Sequence, residues 1–492
     1  MSIKPHYETY RYTTKLTQVK GQSVVECRLP GEEITSILAV YAKAVPTDCV
    51  PTDGEARYNG KLFLTVVYED ADKKICRTER GAEFSHRVTD GLLTPACFTR
   101  AAFSVESVKH RKEGASFYIS VVVSAEVGVY GIAQTDYLLD GENLVCKSAP
   151  QIVVKTLPIT GETELEDDFE TDYVGDILLC SESVNVARIE AEAGQLVVQG
   201  EVALNVCALK ADDSLCSYER LVPFRVELPA DELLPEHKAN AVVCVKSVAL
   251  TAGTDEDKGK SRISANFVLS VSAEAYLPEE LPVVEDAFAL NCDLKTVKKR
   301  VESKVLDGVL CLTERISGTA SLSADINYSS ILAAAVTPRA EMTCRQGEAE
   351  GVIYAEVLLR DADGTNRSAT LSLPFAFPIS YGEGLEAEAC GTVCGLSVRQ
   401  RREGEVEAEA TLKVTVRVYR TLGAEYITEA TAGAPIEEND SAISVYLPSA
   451  GESLWEVAKR LHREPSELEK SNPELEFPIQ KGKRIFVYRR KY

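Results

Sequence analysis

The sequence predicts a mainly β protein, with three tandem β-sandwich-like or barrel-like repeats followed by a small βααβ domain. Three observations lead to this fold class. Glycine-led strand patterns recur with nearly constant offsets to the residues that follow them, each repeat ends in a long strand of alternating apolar and polar residues, and the last fifty residues change in charge and periodicity. The chain has 492 residues. At roughly 100 to 200 residues per domain, that length accommodates several domains with their own cores.

The repeated strand opens at Gly60 (GKLFLTVVYED), Gly200 (GEVALNVCALKADD) and Gly351 (GVIYAEVLLRDADG), each with a two-residue periodicity. A phenylalanine follows each glycine by 24 positions, and a Ser-Val pair follows by 47, 47 and 46 positions. These residues are Phe84, Phe224 and Phe375, and Ser107, Ser247 and Ser397. The glycine is interpreted as a bulge or a tight entry to a strand rather than a point of ligand approach, and the phenylalanine as a core residue.

Each repeat closes on a long alternating strand, over 116–130, 262–276 and 406–419, which is typical of an antiparallel strand buried on one face. A strand upstream of the glycine is predicted in the first and third copies, where Ser36-Ile37-Leu38-Ala39 is echoed by Ser330-Ile331-Leu332-Ala333. The predicted repeat domains are 1–160, 161–300 and 301–438, and the last domain is 441–492.

Two segments between the repeats are interpreted as connectors. The acidic run 162–170 (ETELEDDFE) is predicted to be a solvated linker, and 291–306 (NCDLKTVKKRVESKVL) a short helix or an edge strand.

Composition narrows the classes of function. The chain has 54 Lys and Arg against 76 Asp and Glu, a net charge of −22, which argues against a general nucleic-acid-binding surface. Five histidines leave little material for imidazole metal sites or His-based catalysis. The phosphate-binding loop, the dinucleotide fingerprint, the nucleophile elbow and the His-Glu-x-x-His helix are all absent from the sequence. We therefore expect no enzyme, with no catalytic residues, no cofactor and no metal.

The sequence also predicts where the protein resides. No apolar run approaches the roughly 20 residues needed to cross a bilayer, and the first 20 residues lack a secretory apolar core. We expect no transmembrane insertion and a cytoplasmic location. The 14 cysteines are scattered singly, apart from Cys390 and Cys394, and are interpreted as small buried hydrophobic residues in a reducing compartment.

The chain changes character after Pro435. Residues 441–492 carry 10 Lys and Arg against 7 Glu, a net charge of +3, whereas the remainder of the chain is −25. The pattern predicts a strand at 443–446, a helix over about 453–461, a second helix over about 465–471 and a closing strand at 484–488. Ser453 with Glu456 three residues later predicts a capping box, and Pro465 suits the first position of a helix.

This segment, 451–488, resembles a LysM domain, the βααβ module typically associated with glycans that contain N-acetylglucosamine. The matching residues are Gly451, Leu454, Trp455, Ala458, Leu468, Asn472, Pro473, Gly482 and Ile485. Two positions depart from the family pattern: Glu452-Ser453 replaces the usual Asp-Thr, and Val487-Tyr488 replaces the usual final proline.

The resemblance implies a ligand groove between the turn at 451–454 and the turn at 472–475. The candidate ligand-binding or partner-binding residues are Gly451, Glu452, Ser453, Leu454, Arg463, Asn472, Pro473, Glu474 and Leu475. For Leu454, Trp455 and Ala458, packing of a helix on the sheet is favoured over direct contact with a ligand.

Tandem β repeats that precede a C-terminal LysM domain resemble the SPOCS-repeat proteins of endospore-forming Clostridia. The resemblance implies a non-enzymatic scaffold for spore coat assembly, located in the mother-cell cytoplasm and recruited to the forespore surface. It also implies that the LysM domain docks the basal ATPase of the coat. The alternative is a protein whose LysM domain binds peptidoglycan, for which export to the cell wall would be needed.

Overall fold

The computed structural model describes residues 3–31, 33–172, 174–210, 212–255, 259–322, 328–402, 405–437 and 441–488. The ends of the predicted domains at residues 1–2, 438 and 489–492 lie outside these ranges. The described residues form twenty strands and two short helices, so the predicted mainly β class is confirmed.

Eighteen of these strands form three consecutive units of six. The first unit contains β1 (Lys4–Pro30), β2 (Ser36–Thr52), β3 (Glu55–Glu69), β4 (Ile75–Thr89), β5 (Phe98–Glu113) and β6 (Ser116–Glu142). The second contains β7 (Leu144–Asp172), β8 (Ile177–Glu192), β9 (Gln195–Leu209), β10 (Leu215–Pro229), β11 (Lys238–Asp255) and β12 (Lys260–Ala289). The third contains β13 (Cys292–Leu322), β14 (Tyr328–Arg345), β15 (Glu348–Asp361), β16 (Asn366–Pro378), β17 (Glu386–Arg402) and β18 (Glu405–Pro435).

All three units share one strand order. The sixth strand of each unit lies between the first and the fifth in an antiparallel sheet, and the third lies between the second and the fourth in another. In the third unit a short pairing of β13 with β16 joins the two sheets. The alternating apolar side chains of the two sheets form a core inside each unit, for example around Ile119, Leu269 and Leu412.

The 24-residue spacing between glycine and phenylalanine corresponds to a hairpin register. Gly60 lies directly opposite Phe84, Gly200 opposite Phe224 and Gly351 opposite Phe375, on the third and fourth strands of each unit. A Cβ atom at Gly200 would lie 2.7 Å from Cζ of Phe224. The glycine therefore makes room for an aromatic ring in mid-strand, which differs from the predicted strand entry.

The predicted bulge is present beside two of these glycines, but on the neighbouring strand. The register of β2 against β3 shifts next to Gly60, and that of β8 against β9 shifts next to Gly200. The Ser-Val pair marks a second bulge, in the fifth strand, immediately before Ser107 and Ser247. In the third unit this bulge lies slightly upstream of Ser397, between Val393 and Gly395. The spacings shared by the three units thus mark positions where strand geometry changes.

Replacing Gly200 with Ala tests the aromatic contact. The new Cβ would lie 2.1 Å from the carbonyl oxygen of Asn185, so both the ring and the backbone must move. We expect the free energy of unfolding to fall by about 1 to 3 kcal/mol, the usual cost of overpacking. Urea unfolding of the full chain measures this. The control is Gly308→Ala, where the added Cβ meets no atom within 4 Å; equal losses in both variants would contradict the expectation.

The two predicted connectors lie in strands. The acidic run 162–170 belongs to β7, where exposed Glu162, Glu164 and Glu166 alternate with half-buried Thr163 and Leu165. The solvated-linker prediction was wrong because a strand exposed on one face can carry a charge at every second position. The segment 291–306 contains the start of β13, which pairs with β18 alone over that stretch, as the edge-strand alternative predicted.

The boundaries of the units follow from the same pairing. Because the first strand of each unit pairs with its sixth, each unit begins at β1, β7 or β13. The divisions predicted at 160/161 and 300/301 fall inside β7 and β13, and the strand breaks lie at residue 143 and at residues 290–291.

The three units pack around common apolar clusters. One cluster joins Leu38 and Val67 of the first unit, Leu179 and Leu209 of the second, and Val336 of the third. A second cluster joins long first and sixth strands of the three units, namely β1, β6, β7, β12 and β18. Its buried members are Tyr12, Tyr137, Val153, Leu281, Val283, Ala424 and Tyr426. Each unit therefore contributes to cores that no single unit could form.

Candidate functional site

The C-terminal module, residues 441–488, has the predicted βααβ order. It contains β19 (Ile443–Tyr446), α1 (Leu454–Leu461), α2 (Pro465–Ser471) and β20 (Ile485–Tyr488), with β19 antiparallel to β20. Its core consists of inward-facing residues of both helices, of β20 and of the connecting loop. These are Val457, Ala458, Leu468, Ile479, Ile485 and Val487.

The predicted helix starts are confirmed. The Ser453 hydroxyl oxygen accepts a hydrogen bond from the Glu456 backbone N–H at 3.3 Å, and the Glu456 carboxylate accepts one from the Ser453 backbone N–H at 2.7 Å. The Ser453 backbone N–H and the Ser453 hydroxyl, which also donates to the carboxylate at 2.8 Å, lower the pKa of Glu456. Pro465 is the first residue of α2, as predicted. His462 follows α1 as its C-cap residue and adopts the left-handed conformation.

Three of the predicted binding residues have partners within the module. Asn472 is buried, and its amide donates to the carbonyl oxygens of Leu468 at 3.0 Å and Phe486 at 2.9 Å. Its Oδ1 accepts from the Phe486 backbone N–H at 2.7 Å. The Glu452 carboxylate binds Arg460 at 2.8 Å and accepts from the Tyr446 hydroxyl at 3.2 Å. Ser453 is the helix cap, so these polar groups stabilise the module itself.

The other predicted residues differ in exposure. Leu454 and Leu475 are half-buried against the module core. Gly451, Pro473 and Glu474 are exposed, and Arg463 is half-buried. The turn at 451–454 is tied to Ile479, whose carbonyl oxygen accepts from the Gly451 backbone N–H at 2.9 Å. The turn at 472–475 is closed separately, by a bond from the Leu475 N–H to the Asn472 carbonyl oxygen at 3.1 Å.

Helix α1 is docked on the second unit. The Trp455 Nε1–H donates to Asp286 at 2.8 Å, and the Trp455 ring meets Phe288 edge-on with centroids 5.2 Å apart. The Lys459 ammonium binds both oxygens of Asp286 at 2.6 and 2.8 Å. Trp455 therefore lies at the boundary between the module and β12, whereas Ala458 lies in the predicted helix-to-sheet core. No local pattern in the sequence points to this contact.

The β19–β20 sheet has one side packed on the module core and one side exposed to solvent. The exposed side is apolar and is called here the outer face. It consists of Ile443, Val445, Leu447, Phe486 and Tyr488, which are each 45% to 69% exposed. Ile443 lies directly opposite Tyr488, and Val445 opposite Phe486, so the side chains form contiguous cross-strand pairs. Along β20 the side chains alternate, so Phe486 and Tyr488 lie on this face while Ile485 and Val487 point into the core.

A cleft of about 380 Å³ lies between the second and third units. The charged groups around it pair with one another: Arg188 forms an ion pair with Glu190, and Asp307 binds Arg420 at 3.5 Å. Because these charges already have partners, the cleft offers a ligand few free polar groups.

The described residues contain no group of three or more His, Cys, Asp or Glu side chains placed to hold a metal ion. Cys390 and Cys394 are four positions apart on β17, a separation of about 13 Å in an extended strand, so they do not face a common ligand. Burial raises the pKa of Cys146 to about 11 and that of Cys207 to about 12, which suppresses the reactive thiolate.

No family model, no curated protein and no solved structure matches this chain. Within the described residues, neither helix is long and apolar enough to cross a bilayer.

Proposed function

We propose that this protein is a non-enzymatic scaffold of spore coat assembly whose C-terminal module is a LysM domain that docks a protein partner. In this proposal the three six-stranded units are SPOCS repeats that form the body of the scaffold. The partner is the basal ATPase of the coat, bound in the mother-cell cytoplasm at the forespore surface. The identity of the partner comes from the family resemblance, and the mode of docking comes from the module's surface.

The observation that carries the proposal is the outer face of β19 and β20. Five large apolar side chains about half exposed on one small module form the kind of contiguous patch that marks protein interaction sites. Phe486 and Tyr488 supply aromatic side chains, which are enriched among the residues that dominate binding energy. A glycan site would instead need free polar groups, and Glu452, Ser453 and Asn472 are bonded within the module.

The charges beside the outer face favour an acidic partner surface. Lys481, Lys483 and Arg484 are exposed in the loop that leads into β20. Arg484 shares the strand alternation of Phe486 and Tyr488, so it flanks the apolar patch. Such cations accelerate association with an acidic surface more than they increase affinity.

Replacing Phe486 with Ser is expected to weaken binding of the coat ATPase by tenfold or more, because an apolar anchor at the centre of the patch is lost. Phe486 points outward, so the variant should unfold at the same temperature as the wild type. Surface plasmon resonance with the full chain and the purified ATPase measures the affinity. Val24→Ser is the matched control, since Val24 is 65% exposed on β1, outside the module.

Two outcomes would contradict the proposal. One is unchanged ATPase binding by Phe486→Ser. The other is a wild-type chain that sediments with purified peptidoglycan and binds no ATPase, which would favour the glycan-binding alternative.

A further inference from the structure

A short segment of β12 lies along helix α1 in the manner of a bound peptide. Asp286 accepts hydrogen bonds from the Trp455 indole and from the Lys459 ammonium. Phe288, two residues later, packs edge-on against the Trp455 ring. The Ala289 carbonyl oxygen lies 2.8 Å from Nδ1 of His462, within hydrogen-bond distance. Acidic, aromatic and backbone groups of one extended segment are thus contacted by Trp455 and Lys459 of α1 and by His462, the residue that caps its C-terminus.

The strand is shaped for this contact. The pairing of β12 with β7 contains a bulge between Val284 and Asp286. A bulge changes the direction of the side chains that follow it. Burial acts to raise the pKa of Asp286, but the hydrogen bonds from Lys459 and Trp455 outweigh burial and lower it. The carboxylate is therefore held in its charged form by the module.

The same segment differs in the other two units. Asp286 and Phe288 follow Tyr276 by 10 and 12 positions. Tyr130 and Tyr419 are the equivalent tyrosines of the other two units. The residues 10 positions after them, Asp140 and Glu429, are also acidic. The residues 12 positions after them, where the second unit has Phe288, are Glu142 and Thr431. Of the three equivalent positions, only the one in the unit on which the module docks therefore has the acidic-x-aromatic combination.

We propose that the α1 face formed by Trp455, Lys459 and His462 is a binding site for an extended acidic-x-aromatic peptide segment, occupied in cis by Asp286-Ala287-Phe288. A partner protein that carries a segment of the same chemistry competes with β12 for this face. The module then has a closed state, docked on the second unit, and an open state in which α1 binds the partner segment. This site is on a different surface from the outer face, so it does not depend on what the outer face binds.

The polar part of the contact is exposed, whereas Phe288 is only 2% exposed and packs in the apolar cluster of the module. Lys459 is 46% exposed and Asp286 33% exposed, so water and salt reach the ion pair. A partly exposed ion pair contributes modestly to stability. Because the peptide-like segment is tethered to the module, its effective concentration is high, and an external segment must overcome that advantage. Loss of the Asp286 carboxylate leaves the tether unchanged but weakens the binding of the tethered segment, so an external segment can then compete for the face.

The chain has a single tryptophan, Trp455, so its fluorescence reports the state of α1 directly. In the full chain, Asp286→Ala is expected to shift the emission to longer wavelength and to increase quenching by acrylamide, because the indole loses its acceptor and becomes more hydrated. The matched control is Glu285→Gln, at the neighbouring position, where the side chain pairs with Lys147 at 3.5 Å. The control should keep the wild-type spectrum.

A synthetic peptide of residues 283–291 then tests recognition in trans. It should bind the Asp286→Ala chain at least tenfold more tightly than the wild-type chain, in which β12 occupies the face. A peptide in which Ala replaces both Asp286 and Phe288 should not bind. If Asp286→Ala fails to fold, Phe288→Ser in the full chain gives the same comparison, with unfolding by circular dichroism as the check.

Unchanged Trp455 emission in the opened variants would overturn the proposal. So would equal affinity of the peptide for wild-type and Asp286→Ala chains, or no binding to either, because the contact would then be packing between the module and the second unit and not a recognition site.

Discussion

Replacing Lys43 with Met is expected to lower the free energy of unfolding by about 3 to 5 kcal/mol, because it leaves a buried carboxylate without its cation. Lys43 on β2 of the first unit forms an ion pair with Glu182 on β8 of the second. The two side chains are only 14% and 2% exposed. Such a pair is costly to break from one side, although the pair itself adds little stability over apolar residues of the same size.

The loss should depend on pH. Burial raises the pKa of Glu182, against the opposing effect of Lys43. A carboxyl group whose pKa is higher in the folded chain than its unfolded value of about 4.3 binds its proton more tightly when folded. The loss in free energy of unfolding caused by Lys43→Met is therefore expected to be smallest near pH 4. It should grow as the pH rises through the pKa of Glu182 in the folded chain.

Urea unfolding between pH 4 and pH 8 measures both effects. Lys61→Met is the matched control, since Lys61 is an exposed lysine on the adjacent strand β3. The double variant Lys43→Met with Glu182→Leu should recover most of the lost stability, because the buried charge is removed as well. A double variant as unstable as the single one would show that the ion pair is not the cause.

Replacing Glu274 with Ala is expected to cost about 3 kcal/mol at neutral pH, because several groups lose a charged acceptor at once. Glu274 on β12 binds the Lys15 ammonium of the first unit at 3.0 Å. It also accepts from the hydroxyl of Tyr276 at 3.1 Å and from that of Tyr130. The network lies where the first and second units meet, and its loss should weaken their association.

The pH dependence has the opposite sign from that of Glu182. Burial acts to raise the pKa of Glu274, but Lys15 and the two tyrosine hydroxyls outweigh burial and lower it. A carboxylate whose folded pKa lies below its unfolded value of about 4.3 stabilises the fold above that pH. This contribution is lost as the pH falls through the folded pKa, so the wild type and Glu274→Ala should converge in stability below pH 4.

Thermal unfolding from pH 3 to pH 7 checks this convergence. Glu280→Ala serves as the control, because Glu280 is exposed on the same strand. If Glu274→Ala and Glu280→Ala follow one pH profile, the network does not hold the two units together.

The two ion pairs show how the units are joined. The described contacts place charged and tyrosine side chains between the first and second units, while the apolar cluster around Leu38, Leu209 and Val336 involves all three units. A body with shared cores resists relative motion of its parts. Such rigidity suits the proposed role, because a scaffold must keep its three units in a fixed arrangement whether the C-terminal module is docked or open.

The sequence alone determined the local features of this protein. Two-residue alternation predicted the strands, since side chains in a strand point to opposite faces in turn. The fixed offset of Phe84, Phe224 and Phe375 from their glycines indicated one structure repeated three times, and the register of each hairpin explains that offset. The capping residues Ser453 and Glu456 predicted where α1 begins, because a helix cap involves residues only three positions apart.

Only the tertiary structure decided the unit boundaries, the shared cores and the contacts of the candidate sites. The first strand of a unit pairs with its sixth, and Lys43 pairs with Glu182 across 139 positions of the chain. Trp455 binds Asp286 across 169 positions, and Ile443 meets Tyr488 only because β19 and β20 come together. No local periodicity encodes such contacts, since each depends on how separate strands pack together in three dimensions and not on the spacing of residues within one of them.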